Sequence, residues 1–282
     1  MSFMKWVSLF VLVIPIQVNV SQAATLPKIE LGMGLVGLQY NDYPGSDENH
    51  GYLLPLPYVI YRGDKLQLNR KGLTGYFGDW GWGRINISLG AGVPVKSDKN
   101  EARKCMDDLL PAFGIGPSLV IDLWQNSKHG VDLTFQVPVR QNVAMNFKEF
   151  NNLGWTIRPK LNLNMRQPGV SDYWNFSVGI GPLFAGDKYH QYYYDVPQKF
   201  VIASRSRFNS AGGYSGSKLV LSLTQRANDY WFGGFIRYTN LSGAKFNNSP
   251  LVKQKNSLMI GFGFAKIFYK KGQVDLASVL SD

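Results

Sequence analysis

The fold is decided by the stretch Val131-Asp132-Leu133-Thr134-Phe135-Gln136-Val137-Pro138-Val139-Arg140 and by its companion Trp155-Thr156-Ile157-Arg158-Pro159-Lys160-Leu161-Asn162-Leu163-Asn164. In both stretches the odd positions are apolar and the even positions are almost all polar. Successive side chains of a β-strand point to opposite faces, so each stretch predicts a strand with one apolar face and one wet face. A charged face of this length does not fit a dry core, so the wet face must meet water.

The N-terminus predicts export. Residues 1–24 read as a signal peptide, with Lys5 as the basic region, Trp6 to Ile16 as the apolar region and small residues at Ser21 and Ala23. The apolar run is too short for the roughly 20 residues of a spanning helix. We therefore expect Sec-dependent export, cleavage after Ala23 or Ala24, a main domain over 25–269 and a short tail over 270–282.

Alternating segments behind a secretory signal are typical of the bacterial outer membrane. No later stretch resembles a spanning helix, and a membrane protein without helices must be a closed barrel, since lipid leaves no partner for a free backbone N–H or C=O. The expected fold is all-β: an antiparallel transmembrane β-barrel of the outer-membrane type.

The strand number follows from parity, because both ends of a bacterial barrel normally lie in the periplasm and the count is then even. Long loops are expected outside the cell and short turns in the periplasm. Two short extra strands, Lys65 to Asn69 and Leu73 to Phe77, bring the count to about twelve; ten is the alternative. The other ten predicted strands are 29–40, 52–62, 84–92, 112–123, 130–140, 153–165, 173–185, 213–224, 230–240 and 257–268.

The composition is basic. The chain has 30 Lys and Arg against 19 Asp and Glu, a formal charge of +11, and loss of Lys5 with the signal peptide leaves +10. An exported protein rarely meets nucleic acid, so we expect no nucleic-acid partner and favour outer-membrane lipid, including acidic lipopolysaccharide, or anionic solutes. Cys105 is the one cysteine, which excludes an intramolecular disulfide framework.

If the apolar faces meet lipid, a set of charged residues must line the lumen, and its cations outnumber its anions. This predicts an interior that favours anionic or polar solutes. The alternative is a plugged interior in which the charges pair with one another and with loops. The predicted lumen-lining residues are Arg84, Asp122, Asp132, Arg140, Arg158, Lys160, Lys218 and Arg237.

Tryptophans cluster beside the predicted periplasmic turns. Tryptophan prefers the membrane–water interface, where its ring is half apolar and its N–H reaches water. An interface girdle is the favoured interpretation, and scattered strand-end aromatics are the alternative. The predicted girdle residues are Trp80, Trp82, Trp124, Trp174 and Trp231.

Motifs for catalysis and cofactors lack their context. Gly32-Met33-Gly34-Leu35-Val36-Gly37 matches a dinucleotide fingerprint but lies inside a predicted strand, where glycines facing a neighbouring strand explain it better. The three histidines, His50, His129 and His190, have no zinc spacing. Asp47 with His50 is the one local enzyme candidate, and a solvated loop is the simpler interpretation. We expect a non-enzyme with no cofactor and no metal.

Nine blocks form a pattern that spans nearly the whole mature chain. The blocks are Tyr43-Pro44-Gly45-Ser46-Asp47, Pro55-Leu56-Pro57-Tyr58, Tyr61-Arg62-Gly63-Asp64, 102–109, Gly116-Pro117-Ser118-Leu119, Tyr192-Tyr193-Tyr194-Asp195-Val196, 210–214, Tyr238-Thr239-Asn240-Leu241 and Ser249-Pro250-Leu251-Val252. In order and spacing they resemble the MipA/OmpV family of MltA-interacting outer-membrane proteins. The chain departs from the family pattern at Cys105 and Asp195, where small residues are usual, and in the tail after Phe268.

The resemblance implies an outer-membrane barrel and a scaffold role that joins a murein-cleaving lytic transglycosylase to a murein synthase. It supplies no catalytic residues. A narrow porin-like channel for small polar or anionic solutes is the alternative, carried by the basic lumen. A surface receptor is a third hypothesis, since loop 186–212 contains Tyr189 and the run Tyr192 to Tyr194, although such tyrosines are also ordinary girdle residues.

Overall fold

The computed structural model describes residues 25–63, 66–69, 72–75, 80–126, 128–166 and 174–275, with the side chains of the two short segments 66–69 and 72–75 and of Asp275 left out. The predicted signal peptide, the end of the predicted tail and residues 167–173 lie outside the described residues. Among the described residues no helix is long and apolar enough to cross a membrane.

Strands make up most of the described chain, which also has one short helix, α1 (Asp187–Tyr194), and three single-turn 3-10 helices. The strands are β1 (Thr25–Leu26), β2 (Ile29–Asn41), β3 (Asn49–Arg62), β4 (Leu66–Asn69), β5 (Gly72–Gly75), β6 (Gly83–Gly92), β7 (Ala112–Asn126), β8 (Val131–Met145), β9 (Phe150–Ile157), β10 (Lys160–Arg166), β11 (Trp174–Ala185), β12 (Gly213–Ala227), β13 (Tyr230–Asn240), β14 (Asn256–Lys271) and β15 (Val274–Asp275).

One antiparallel sheet contains β2 to β14. Its order is β5-β4-β3-β2-β14-β13-β12-β11-β10-β8-β7-β6, and β9 bridges β8 and β11 above β10. Nearly every ladder joins strands that follow each other in sequence, whereas β14 pairs with β2, so the first and last long strands of the described chain meet. The two ends of this path, β5 and β6, lie beside each other, although no described backbone ladder joins them.

The predicted antiparallel barrel-type fold is confirmed. β9 and β10 form one strand position interrupted at Arg158 and Pro159, so the sheet has twelve positions across its width. Both short extra strands exist, as β4 and β5. The hairpin of β8 and β9 is longer than predicted, because polar residues such as Gln141 and Asn152 pair with each other there and interrupt the apolar alternation (Nε2 to Oδ1, 2.7 Å).

The two faces of the sheet differ in chemistry. On β14, Leu258, Ile260, Phe262 and Phe264 are exposed and alternate with buried small residues such as Ala265. Strands of this length rise about 3.3 Å per residue and, when tilted, cross an apolar band of roughly 25 Å. The exposed apolar face is therefore the outer, lipid-facing surface, and the polar face is the inner one.

The glycine-rich stretch of β2 is explained by close strand packing. A Cβ at Gly34 would lie 1.8 Å from the backbone oxygen of Phe264, and one at Gly32 would lie 2.3 Å from that of Lys266. Gly37 lies under the ring of Phe262, 2.6 Å from where its Cβ would be. The fingerprint-like spacing thus serves the β2–β14 ladder, as the sequence interpretation proposed.

The sheet has two unlike ends. The long-loop end contains the connections 42–48, 93–111, 146–149, 186–212 and 241–255, and the short-turn end contains the connections near 63, 128 and 228. At the short-turn end β1 pairs with β15, which joins the first and last described residues.

Candidate functional site

Four connections of the long-loop end pack into one cap, defined here as residues 42–48, 93–111, 186–212 and 241–255. Its buried apolar core draws on all four, with Tyr43 at 2 %, Tyr194 at 3 % and Phe246 at 1 % exposure. The rings of Tyr194 and Phe246 stack with centroids 3.6 Å apart. A core of this kind makes the cap a folded unit.

Hydrogen bonds between distant loops hold the cap together. Tyr43 Oη donates to the carbonyl of Leu251 (2.8 Å), and Tyr194 Oη donates to that of Pro44 (2.9 Å). The guanidinium of Arg103 donates to the carbonyl of Tyr193 (3.1 Å). Each bond satisfies a buried carbonyl that would otherwise cost free energy.

His190 of α1 forms hydrogen bonds with Ala211 and with Ser215 of β12. Its ring is fully buried, with Nδ1 2.7 Å from the carbonyl of Ala211 and Nε2 2.6 Å from Ser215 Oγ. A Ser–His hydrogen bond is also the arrangement of an activated nucleophile. Here Ser215 is only 4 % exposed, so no substrate can approach it in this conformation. The pair instead holds α1 against β12. The other histidine of the cap region, His50, lies 2.5 Å from Asp42 (Nδ1 to Oδ1) rather than pairing with Asp47.

We expect the cap to loosen as the pH falls below the ordinary histidine pKa of about 6.5. Burial lowers the pKa of His190, against opposing contributions from the Ala211 carbonyl and Asp187. A lowered folded pKa means that the unfolded segment binds the proton more readily, so stability is complete above about pH 6.5 and declines below it. Hydrogen-exchange protection of 187–194 should fall by no more than about tenfold per pH unit, since one proton is linked.

His190→Gln is the matched control, because it keeps a polar side chain that does not titrate. Protection in this variant should be independent of pH once intrinsic exchange is corrected. Equal pH dependence in the variant and the wild type would assign the effect to another group.

Below the cap, one side of the inner face is packed with side chains. Glu30 is fully buried and binds two arginines, with Arg62 Nη1 3.0 Å and Arg226 Nη1 2.5 Å from its carboxylate. Beside this triad, Tyr58, Ile60, Trp231, Ala265 and Ile267 form a small apolar cluster. This side, formed by β2, β3 and β12 to β14 near the short-turn end, matches the plugged alternative.

The rest of the inner face, including the part of β13 that lies toward the cap, is polar. Six inner-face side-chain atoms there are buried without a protein partner among the described residues. Buried polar atoms in native proteins are almost always hydrogen-bonded, so these atoms require solvent or solute. The six atoms are Asn86 Oδ1, Thr134 Oγ1, Asn162 Nδ2, Asn175 Oδ1, Arg158 Nε and Arg237 Nε.

All eight charged residues predicted to line the lumen lie on this inner face, at two levels. Toward the short-turn end, Arg84 pairs with Asp122 (2.5 Å) and Asp132 accepts a hydrogen bond from Asn164 (2.7 Å). Lys160 lies midway, against Gly181 of β11. Toward the cap lie the remaining four, which are all cations: Arg140, Arg158, Lys218 and Arg237.

The tryptophans divide into two groups, and Trp231 is a correction to the predicted girdle. Trp80, Trp82 and Trp124 are about half exposed at the short-turn end, and Trp174 begins β11 there. Trp231 is only 9 % exposed and packs inward against Tyr58. The girdle was predicted from position along the strand, whereas alternation along β13 turns Trp231 inward and Phe232 outward.

Two functional features escaped the sequence analysis. The Glu30 triad had one signal, an acidic residue between Ile29 and Leu31 at the start of a strand, where only an inward, paired carboxylate is tolerable. The cap had none, since its contacts join loops that are far apart in sequence, such as Tyr194 with Pro44.

An exposed apolar outer face, a polar inner face and sequential antiparallel pairing define an outer-membrane β-barrel. The chain belongs to the family described as MltA-interacting protein MipA, whose sequence model matches residues 31–268. Family and fold together indicate an outer-membrane location.

Two solved structures are similar at low identity. One is the CymD monoaromatic hydrocarbon channel, with 10 % identity, 88 % of this chain and 72 % of that chain covered, and a TM-score of 0.25. The other is a Pseudomonas aeruginosa FadL homologue, with 8 % identity, 77 % and 60 % covered, and a TM-score of 0.28. This chain thus spans less than two thirds of the FadL homologue. The search of curated proteins finds no match.

Proposed function

We propose that this protein is an outer-membrane adaptor that holds murein-processing enzymes at its short-turn end. The observation that carries the proposal is the match of residues 31–268 to a family described as MltA-interacting. The partners are then a lytic transglycosylase and a murein synthase, and the chain reaches the membrane by Sec export. Lipopolysaccharide and other outer-membrane lipids surround the exposed apolar face.

The shape of the molecule supports this role. The cap covers the long-loop end, whereas the short-turn end presents the exposed rings of Trp80, Trp82 and Trp124. Trp80 and Trp82 stack with centroids 6.2 Å apart. Exposed aromatic rings are frequent anchors of protein interfaces. The turns are short, so the contact area with a partner enzyme is small. We therefore expect the interaction to be weak or to use several contact points.

Site-specific photocrosslinking in cells tests the adaptor. A photoreactive residue replaces Asn126 or Lys128 at the short-turn end, and the matched control carries it at Phe147, which is fully exposed at the long-loop end. We expect murein enzymes among the adducts from 126 and 128 and none from 147. Adducts from 126 and 128 limited to lipopolysaccharide and barrel-assembly proteins would contradict the adaptor.

A narrow conduit for small polar or anionic solutes is the second candidate. The observation that favours it is the polar side of the inner face, whose buried atoms require solvent. The cap lies over this interior, so passage would need the cap to move. Single-channel conductance in a planar bilayer decides this: if the wild type and a variant with a disrupted cap are both silent, the protein is no conduit.

A further inference from the structure

The four cations near the cap come from separate strands. Arg140 lies on β8, Arg158 follows β9, Lys218 lies on β12 and Arg237 on β13. Lys218 pairs with Thr239, two residues from Arg237, so those two are diagonal neighbours on one face. Arg140 and Arg237 are four ladders apart, roughly 19 Å along a flat sheet at about 4.8 Å per strand. The sheet curves, however, because its two end strands β5 and β6 lie beside each other, so the side chains of these separate strands face one common interior.

No carboxylate offsets these charges among the described residues. None of the four takes part in an ion pair there. The described acids of the inner face, Glu30, Asp122 and Asp132, lie toward the short-turn end and already have partners.

The donors of the cluster are largely unused. Arg140 Nε donates to Ser88 Oγ (2.9 Å), and Arg237 Nη1 approaches Met259 Sδ (3.4 Å). The Nε atoms of Arg158 and Arg237 are buried without a protein partner. An unpaired buried donor on a charged group is costly, so a protein that keeps two of them has an acceptor for them outside its own chain.

The cluster is also reachable. All four side chains keep partial exposure to water although protein encloses them, as expected for side chains around an internal, hydrated space. The side chain of Arg140 lies flat along the wall, with Nη1 3.0 Å from where a Cβ of Gly90 would be and Cδ 3.5 Å from where one of Gly114 would be. These two glycines make room for the Arg140 side chain against the wall.

We propose that Arg140, Arg158, Lys218 and Arg237 form a binding site for a small, soluble oxyanion with two or more negative charges, of the phosphate type. Arginine presents a planar fork that binds two oxygens of such an anion at once, and Lys218 adds a mobile point charge. A singly charged ion would leave most of the repulsion in place, whereas a multivalent anion neutralises several cations together. The site lies beyond the adaptor role and deepens the conduit candidate, since it requires an interior that solutes can enter.

Isothermal titration of the detergent-solubilised full-length mature protein with inorganic pyrophosphate tests the site, at constant ionic strength set with KCl. We expect wild-type binding and a loss of about 10- to 100-fold in affinity for Arg158→Gln and for Arg237→Gln, the range for charge-assisted hydrogen bonds. Arg158→Lys keeps the charge but loses the fork, so its loss should be smaller. Lys253→Gln is the matched control, because it removes an exposed charge at the long-loop end and should bind as the wild type does.

The outcomes separate the site from the proposed functions. No binding above the KCl background, or equal affinities for Arg158→Gln and Lys253→Gln, would overturn the site. If circular dichroism shows that one glutamine variant does not fold, the affinities of the other glutamine variant and of Arg158→Lys still test the site. Binding without conductance supports the site and counts against the conduit, and failure of the crosslinking experiment removes the adaptor without touching the titration.

Discussion

Replacing Glu30 by alanine is expected to lower the free energy of unfolding by about 3–5 kcal/mol, the usual effect of removing one partner of a buried ion pair. Glu30 is fully buried, and the side chains of Arg62 and Arg226 are only 8 % and 4 % exposed. Without the carboxylate, the two buried guanidinium groups lose the anion that binds both of them. Tyr58 also loses the acceptor of its hydroxyl, 3.2 Å away.

The effect extends across the sheet, because Glu30 lies on β2 and Arg226 on β12, with β14 and β13 between them. The triad therefore joins the first long strand to a late one through the interior. Urea unfolding of the protein in lipid vesicles measures the change.

Asp229→Asn is the matched control for Glu30→Ala. Asp229 also pairs with a cation, Lys270, at 2.5 Å, but both side chains are well exposed, so water and salt screen the pair and little stability should be lost. Equal losses in the two variants would contradict the view that burial makes the Glu30 triad important.

Replacing Tyr194 by alanine is expected to open the cap while the barrel stays folded. The variant removes a ring stacked on Phe246 and the hydroxyl that binds the Pro44 carbonyl, and truncation of a buried aromatic costs about 3–5 kcal/mol. Local opening of the cap should then be roughly 100- to 4,000-fold more frequent, seen as lost hydrogen-exchange protection over 187–212. Protection within β12 and β13 should change far less.

Phe147→Ala serves as the control, since that ring is fully exposed and contributes little to packing. Unchanged protection of the cap in Tyr194→Ala would show that the four loops do not depend on one another. The same variant informs the conduit candidate, because an opened cap should raise conductance if solutes pass through the interior.

Much of the fold could be predicted because a strand in a membrane barrel must alternate. Val131 to Arg140 lies within β8 with its polar side chains inward, and the parity of loops and turns required the short strands β4 and β5. Alternation fails where strands extend past the lipid, so the outer part of the β8–β9 hairpin was read as a loop.

The arrangement inside the barrel could be predicted only in part. The alternation of side chains along each strand was enough to place Arg158 and Lys218 on the inner surface. The grouping of the cations depends on the stagger between strands that are far apart in sequence, which the sequence does not give. The same stagger pairs Asp122 with Arg84 and leaves the upper cations without acids. Trp231 was predicted wrongly for another reason. It was assigned to the girdle from its position near the end of a strand, whereas the alternation of side chains along β13 determines which face it lies on.

We expect the capped end to face outward and the short turns to face the periplasm, where murein lies. Labelling of intact cells with a membrane-impermeant maleimide tests this orientation directly, because the exposed native thiol of Cys105 lies in the cap. Cys105 should be labelled on intact cells, whereas a Cys105→Ser, Lys128→Cys variant should be labelled only after the outer membrane is permeabilised. Labelling of position 128, but not of Cys105, on intact cells would contradict it.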